Sequence, residues 1–204
     1  MTELGGVDVS RETMADLQAF AVLVLKWTPK INLISANSES VIWDRHIVDS
    51  VQIYRHTPVG FRIWLDIGSG GGFPGIVAAI LGKTHHPDAR FILIESDQRK
   101  ATFLRTAIRE LNLTASVLAD RIEDLPPTGA DVVSARALGT VSMLLPLIAH
   151  HMRLEGTAIL HKGKLVSSEI ADARKNWRFD LEEVPSLTDP DGRLLMIQRI
   201  HRAT

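Results

Sequence analysis

The 204-residue sequence has no cysteine, which excludes disulfides, zinc sites built on thiolates and every mechanism that needs a thiolate nucleophile. It has almost no net charge, −1 at pH 7. The whole-molecule field therefore cannot draw in nucleic acid as a strongly basic domain would, and any RNA contact must use a local patch. Apolar runs fall far short of the roughly 20 residues that span a bilayer. The first residues, MTELGGVDVSRET, carry acids before any base and no apolar leader segment, so cytoplasmic residence with no membrane partner is expected. Internal repeats and low-complexity tracts are missing too. No helical histidine pair or acid cluster points to a metal.

What is present is the composition of a folded globular protein, 45% hydrophobic and 23% charged. The length suits one domain with an extension, or two small ones. From Ser10 to Trp27 the apolar residues Met14, Leu17, Phe20, Ala21, Val24 and Leu25 recur at helical spacing behind a Ser10 cap, and Pro29 closes the segment. A second helix is expected from about Ser38 to His56, with Val41, Ile42, Val48, Val51 and Tyr54 on one side. Residues 1–60 thus read as an N-terminal helical extension. Within it Arg45, His46 and Asp49 stand close together, and helical spacing puts Arg45 and Asp49 on one face as a simple ion pair.

Beyond residue 60 the pattern changes to short β-rich runs: IWLDI (Ile63 to Ile67), FILIE (Phe91 to Glu95), ASVLA (Ala115 to Ala119), DVVSA from Asp131 and TAILH from Thr157. Helical stretches lie between them at Gly75 to Leu81, Gln98 to Leu111 and Val141 to Met152. This alternation predicts parallel βαβ units in a doubly wound sheet. Trp177 to Val184 and Arg193 to Ile200 are two further strands with only SLTDPDG between them, which is room for an antiparallel hairpin and not for a crossover helix. The expected architecture is α/β: residues 61–204 form a Rossmann-like, mostly parallel seven-stranded sheet ending in an antiparallel hairpin. Class I methyltransferases share that layout; ordinary dinucleotide-binding domains lack the hairpin.

LDIGSGGGFPG, Leu65 to Gly75, leaves a buried strand and enters a helix. Glycines are needed where the chain takes positive φ or where a ligand must touch backbone, so the turn Gly68, Ser69, Gly70 is a candidate nucleotide-type site. A dinucleotide fingerprint would want glycine or alanine at its sixth position; Phe73 stands there instead. The order Asp66, Gly68, Gly70, Gly72 is the form used for S-adenosylmethionine, whose amino and carboxylate groups can use turn backbone and the Asp66 region. Glu95 ends the next strand, where a carboxylate can accept both ribose hydroxyls. Asp120, Arg121, Ile122 and Glu123 follow the third strand and should lie over the adenine. Arg136, at the end of the fourth strand, would face the place where acceptor and methyl group meet, able to stack on a base or hold a carboxylate. Arg99, Lys100, Arg121, Lys162 and Lys164 should lie at the same edge of the sheet. They form either a phosphate-contacting patch or a set of scattered solubilising charges.

Methyl transfer from a sulfonium is an in-line displacement in which positioning can contribute on the order of 7–11 kcal/mol. C5 methylation of a pyrimidine needs a cysteine, which is absent. Exocyclic amine methylation commonly uses an Asn/Asp-Pro-Pro-aromatic loop after the fourth strand, where this chain has Ser134, Ala135, Arg136 and Ala137. What remains includes acceptors with a free lone pair, such as guanine N7, which need no general base. A methyltransferase acting on a small molecule or protein side chain, a non-catalytic nucleotide-binding module and, more distantly, a dinucleotide oxidoreductase stay open on the residues alone.

One ordered set of motifs is more specific. Trp27 with Asn32-Leu33, RHIVDS (Arg45 to Ser50), LDIGSGGGFPGI, LIES (Leu93 to Ser96), RKATFL (Arg99 to Leu104), Arg121-Ile122-Glu123, SARA, HKGK (His161 to Lys164) and GRLLMIQR follow one another along the chain. In this order the sequence resembles the bacterial small-subunit ribosomal RNA guanine-N7 methyltransferases, also called the glucose-inhibited division protein B family, from about Trp27 to Ile200. It departs in Thr28-Pro29, where the family often has Asn-Lys, and in Ala135. The resemblance implies methyl transfer from S-adenosylmethionine to N7 of a guanine in 16S ribosomal RNA, with that RNA, free, in a precursor particle or in the mature 30S subunit, as partner; a monomer is expected. It implies cofactor contacts at Gly68, Phe73, Ile122, Glu123 and Arg136, and it places the helix of Arg45, His46 and Asp49 near the cleft mouth.

Overall fold

The computed structural model describes residues 1–203, and its first element corrects an expectation. The chain opens on a β-hairpin, β1 (Thr2–Leu4) against β2 (Val7–Val9), turning through Gly5 and Gly6. Val7 and Val9 are buried, so the segment expected to be a helical extension begins with three-residue strands, whose apolar alternation is too short to show as a period. Helix α1 (Arg11–Ile31) starts where Ser10 Oγ accepts the Thr13 amide at 3.1 Å. It does not stop at Pro29 but runs two residues further. Left-handed Asn32 (φ 51°) ends it, donating its amide to the Thr28 carbonyl. Proline removes one helical N–H, and within the last turn that loss is small.

The expected second helix is one helical path with three windings: a 3-10 segment Ala36–Val41, a π segment Trp43–Val48, then α2 (Asp49–Tyr54). β3 (Ile63–Ile67), α3 (Gly75–His85), β4 (Arg90–Ile94), α4 (Gln98–Glu110), β5 (Ala115–Leu118), β6 (Ala130–Arg136), α5 (Val141–His151) and β7 (Met152–Lys162) follow. A helix that the sequence reading missed, α6 (Val166–Ala173), precedes the antiparallel pair β8 (Trp177–Pro185) and β9 (Arg193–Arg202).

The sheet order is β5-β4-β3-β6-β7-β9-β8, parallel from β5 through β7. β9 inserts antiparallel beside β7, with β8 at the edge. β3 shows how the sheet divides the core: Trp64 joins Phe20, Ile47, Ile76 and Phe103 on one face, while Leu65 and Ile67 join Leu145, Ile148 and Trp177 on the other. The direction in which successive strands are added to the sheet reverses between β3 and β6, since β3 leads to β4 on one side and β6 to β7 on the other. Such a switch point opens a crevice at the carboxyl ends of the strands. No helix among the described residues is long and apolar enough to cross a membrane.

Candidate functional site

A cavity of about 830 Å³ lies at that crevice, within the size range of small-molecule sites. Its floor is the glycine turn. Ser69 donates its amide to the Ile94 carbonyl (3.0 Å) and Gly72 to Ser69 (2.7 Å), so the turn is tied both to β4 and to itself. Gly70 sits at φ 52°, and a Cβ built there would meet nothing nearer than the Gly68 carbonyl at 3.8 Å. A side chain at Gly70 would suffer in backbone conformation and would project into free space rather than into protein.

Glu95 spans this floor. Its Oε2 accepts the Gly70 amide at 2.8 Å and its Oε1 the Asp97 amide at 2.8 Å, and each oxygen keeps a lone pair for a further donor. Asp97 then caps α4 through the amides of Arg99 and Lys100. Asp66 does not face the cavity as expected. Its carboxylate is 1% exposed and turned under the turn, where Ser134 Oγ donates at 2.6 Å and the Gly75 amide at 3.3 Å. Ser134 in turn accepts the Trp64 indole N–H at 2.8 Å. Burial pushes the Asp66 carboxyl up to about 6, against the pull of the Ser134, Ser69 and Gly75 hydrogen bonds. Gly75 is obligatory here because a Cβ would stand 2.6 Å from Asp66 Oδ2.

Gly68, Ser69, Gly70, Phe73, Glu95, Ile122, Glu123 and Arg136, all expected at the cofactor, line this one cavity, and Asp120 and Arg121 join them. The RNA group divides. Lys100 and Arg121 reach the cavity wall. Arg99 lines a separate hollow of about 390 Å³ beside Lys30 and Ile34. Lys164 is exposed and paired with Asp191 at 3.0 Å. Lys162 departs from expectation: its side chain is only 8% exposed, and its ammonium is held by Glu169 Oε2 at 2.7 Å and the Gly139 carbonyl at 2.5 Å. It clamps the β6–α5 loop and has no face for a phosphate.

Arg136 is also more deeply engaged than its position implied. Nη1 lies 2.8 Å from His46 Nδ1, Nη2 donates to the Arg45 carbonyl at 2.9 Å, and Nε is 3.4 Å from Asp49 Oδ2. Asp49 therefore pairs with Arg136 across the sheet edge and not with Arg45 on its own helix, because π winding breaks the spacing that would align them. His161 Nε2 lies 3.3 Å from Asp49 Oδ1, while Thr188 Oγ1 (2.6 Å) and Gln52 Nε2 (2.8 Å) donate to the same oxygen. Burial alone would raise Asp49. The neighbouring His161 imidazole, the Arg136 charge and the Thr188 hydrogen bond outweigh it and hold the carboxyl at about 2. Ala137 takes φ 53°, a conformation strained for a residue with a Cβ. It turns Leu138 across the glycine floor, where a Cβ on Gly68 would meet Leu138 Cδ1.

Sequence reasoning missed Leu33, Ile34, Ser35, Leu138, Met143, Leu144 and Leu147 in the cavity wall, and it gave His46 no role. These are apolar or isolated positions with no pattern of their own. Only Asn32-Leu33, through the ordered motif set, carried a signal. Among the described residues no group of three or more His, Asp or Glu side chains is placed to hold a metal.

Residues 13–195 match the family model described as GidB, rRNA small subunit methyltransferase G. The chain is 52% identical to the ribosomal RNA small subunit methyltransferase G of Cereibacter sphaeroides, covering 97% of this chain and 96% of that one. It is 47% identical to the protein of that name from Ruegeria pomeroyi, covering 96% of each. Among solved structures it resembles a ribosomal protein L11 methylase from Lactobacillus delbrueckii subsp. bulgaricus (TM-score 0.60, 17% identity, 77% and 79% covered). It also resembles a TehB-like SAM-dependent methyltransferase from Corynebacterium glutamicum (TM-score 0.58, 14% identity, 91% and 99% covered). At such identities the structural likeness speaks for the fold alone.

Proposed function

Since the chain belongs to the rRNA small subunit methyltransferase G family, we propose that it transfers the methyl group of S-adenosylmethionine to N7 of a guanine in 16S ribosomal RNA, with the small ribosomal subunit as its partner. The single observation that carries the reading is the gathering of the glycine turn, Glu95, Ile122, Glu123 and Arg136 around one cavity. The cofactor fits it: the space beyond the absent Gly70 Cβ leaves bare backbone for close approach, and both Glu95 oxygens retain lone pairs for hydroxyl donors. When bound, it supplies an electrophilic methyl group on a sulfonium.

The chain's own residues then have three tasks. Glu95 and the amides of the turn hold and orient the nucleoside. Leu33, Ile34, Phe73, Leu138, Leu144 and Leu147 exclude water from the reacting atoms. Arg136, with Lys100 and Arg121 at the wall, offers N–H donors to oxygen acceptors. Guanine N7 has a free lone pair and loses no proton on alkylation, so the transfer asks for no general base. The rate then derives from alignment. Residues 61–204 carry the catalytic sheet in this reading, residues 1–60 supply its outer wall, and the enzyme works as a monomer without metal.

The test is incubation with labelled S-adenosylmethionine and unmodified small subunits, followed by mapping of N7-methylguanine through its aniline-sensitive cleavage. Label at one guanine of the RNA is expected. Label in protein or in small metabolites, with none in RNA, would overturn the substrate.

A further inference from the structure

Arg136 lines the cavity, and its guanidinium is held by the helical path of His46, Arg45 and Asp49. A guanidinium has five N–H groups and no acceptor. His46 Nδ1, 2.8 Å from Nη1, must therefore be the bare, accepting nitrogen, with the ring uncharged and its proton on Nε2. Burial first, and the Arg136 charge second, hold His46 down to about 4, which agrees with an uncharged ring at neutral pH. The ring also packs against Phe73, another cavity residue, with centroids 5.0 Å apart and planes tilted by 30°. Its Nε2 is buried with no hydrogen-bond partner among the described residues.

The π winding of Trp43–Val48 explains the second contact. In an α-helix the Asp49 amide would bond the Arg45 carbonyl. Here it reaches back to Asp44 as well as to His46 and Ile47, and the Arg45 carbonyl accepts Arg136 Nη2 instead, at 2.9 Å. One N–H of each Nη is thus taken up, Nε faces Asp49, and one N–H on each Nη remains.

We propose that His46 is the positioning residue of this site: through Nδ1 it takes one Arg136 N–H and, with the Arg45 carbonyl, fixes the plane in which Arg136 presents its two remaining N–H groups to an oxygen acceptor in the cavity. The acceptor is a carboxylate or a purine carbonyl. The assignment rests on reading the cavity as the methyl-transfer site.

Two replacements separate the ring nitrogens. Asparagine places an acceptor about where Nδ1 stands, and glutamine places its amide about where Nε2 stands. His46→Asn should keep kcat and the affinity for S-adenosylhomocysteine, measured by calorimetry, within about threefold of the parent. His46→Gln should lose about tenfold or more in one of them at an unchanged thermal midpoint. Equal losses in both variants would make the ring a space-filler, and a dead Asn variant beside an active Gln variant would assign the role to Nε2; either outcome overturns the proposal. In an Arg136→Gln background the Gln replacement should cost nothing further, whereas another loss of about tenfold would show that His46 does not act through Arg136. A long-range proton–nitrogen NMR spectrum at neutral pH should find Nδ1 bare and Nε2 protonated, and the opposite tautomer refutes the geometry. Failure of the parent enzyme to label RNA would sink the substrate reading while leaving the tautomer and affinity results to judge His46.

Discussion

At Asp66 two demands oppose each other, because the carboxylate organises the glycine turn from beneath and yet is buried to 1% exposure. Its folded value of about 6 lies above the ordinary 3.8. The folded state therefore holds the proton more tightly than the unfolded chain, and its contribution is full below pH 3.8 and lost as pH rises through about 6. His46 runs the other way, lowered to about 4 from 6.5: its contribution is full above pH 6.5 and lost as pH falls through about 4. The two slopes largely cancel in the parent. The difference in thermal midpoint between Asp66→Asn and the parent should move in favour of the variant between pH 4 and pH 6, by on the order of 2–3 kcal/mol in stability. A difference independent of pH would show that this carboxyl is not raised. At Gly75 the added Cβ of Gly75→Ala would press on the same carboxylate, costing about 1–3 kcal/mol and lowering the midpoint in calorimetry. Gly70→Val should leave calorimetric binding of S-adenosylhomocysteine undetectable, since its branched side chain would fill the space left for the ligand; unaltered affinity would refute the turn assignment.

Elements here are joined by side chains as much as by packing. Gln52, on α2, donates through Nε2 to Asp49 Oδ1 (2.8 Å) and Ser186 Oγ (3.0 Å), and its Oε1 accepts the Leu187 amide at 2.8 Å. That stitches the β8–β9 turn to the helical path that carries His46. Gln52→Leu would leave the Leu187 amide and part of Asp49 unsatisfied in a buried place, a loss of about 2–4 kcal/mol in urea unfolding. Ser10→Ala removes a single cap bond at the start of α1 and should cost only about 1 kcal/mol. If the two variants lose equal stability, the buried network counts for less than its geometry indicates.

Across the whole molecule the N-terminal segment is not an appendage. Leu17, Phe20, Val24 and Ile47 share one buried cluster with Ile76, Phe91 and Phe103, and the Leu33 carbonyl approaches the position of a Gly71 Cβ to 3.0 Å. A fragment of residues 61–204 would expose that face of the sheet, since burial of each large side chain contributes about 1.5–3 kcal/mol. The expected result is loss of the cooperative unfolding transition in circular dichroism. A sharp transition in the fragment would show that the sheet holds its fold alone.

The α/β alternation, the strand positions, the glycine turn, Glu95 and the ordered motif set were legible in the sequence, because periodicity and backbone freedom are written in consecutive residues. Hidden from it were the N-terminal hairpin, helix α6, the π winding, the inward turn of Asp66, the capture of Lys162 by Glu169 and the pairing of Arg136 with His46 and Asp49. Each of these is decided by which distant groups burial brings within hydrogen-bond reach. A local pattern specifies which way a side chain tends to point, and only the closed tertiary structure determines what it meets there.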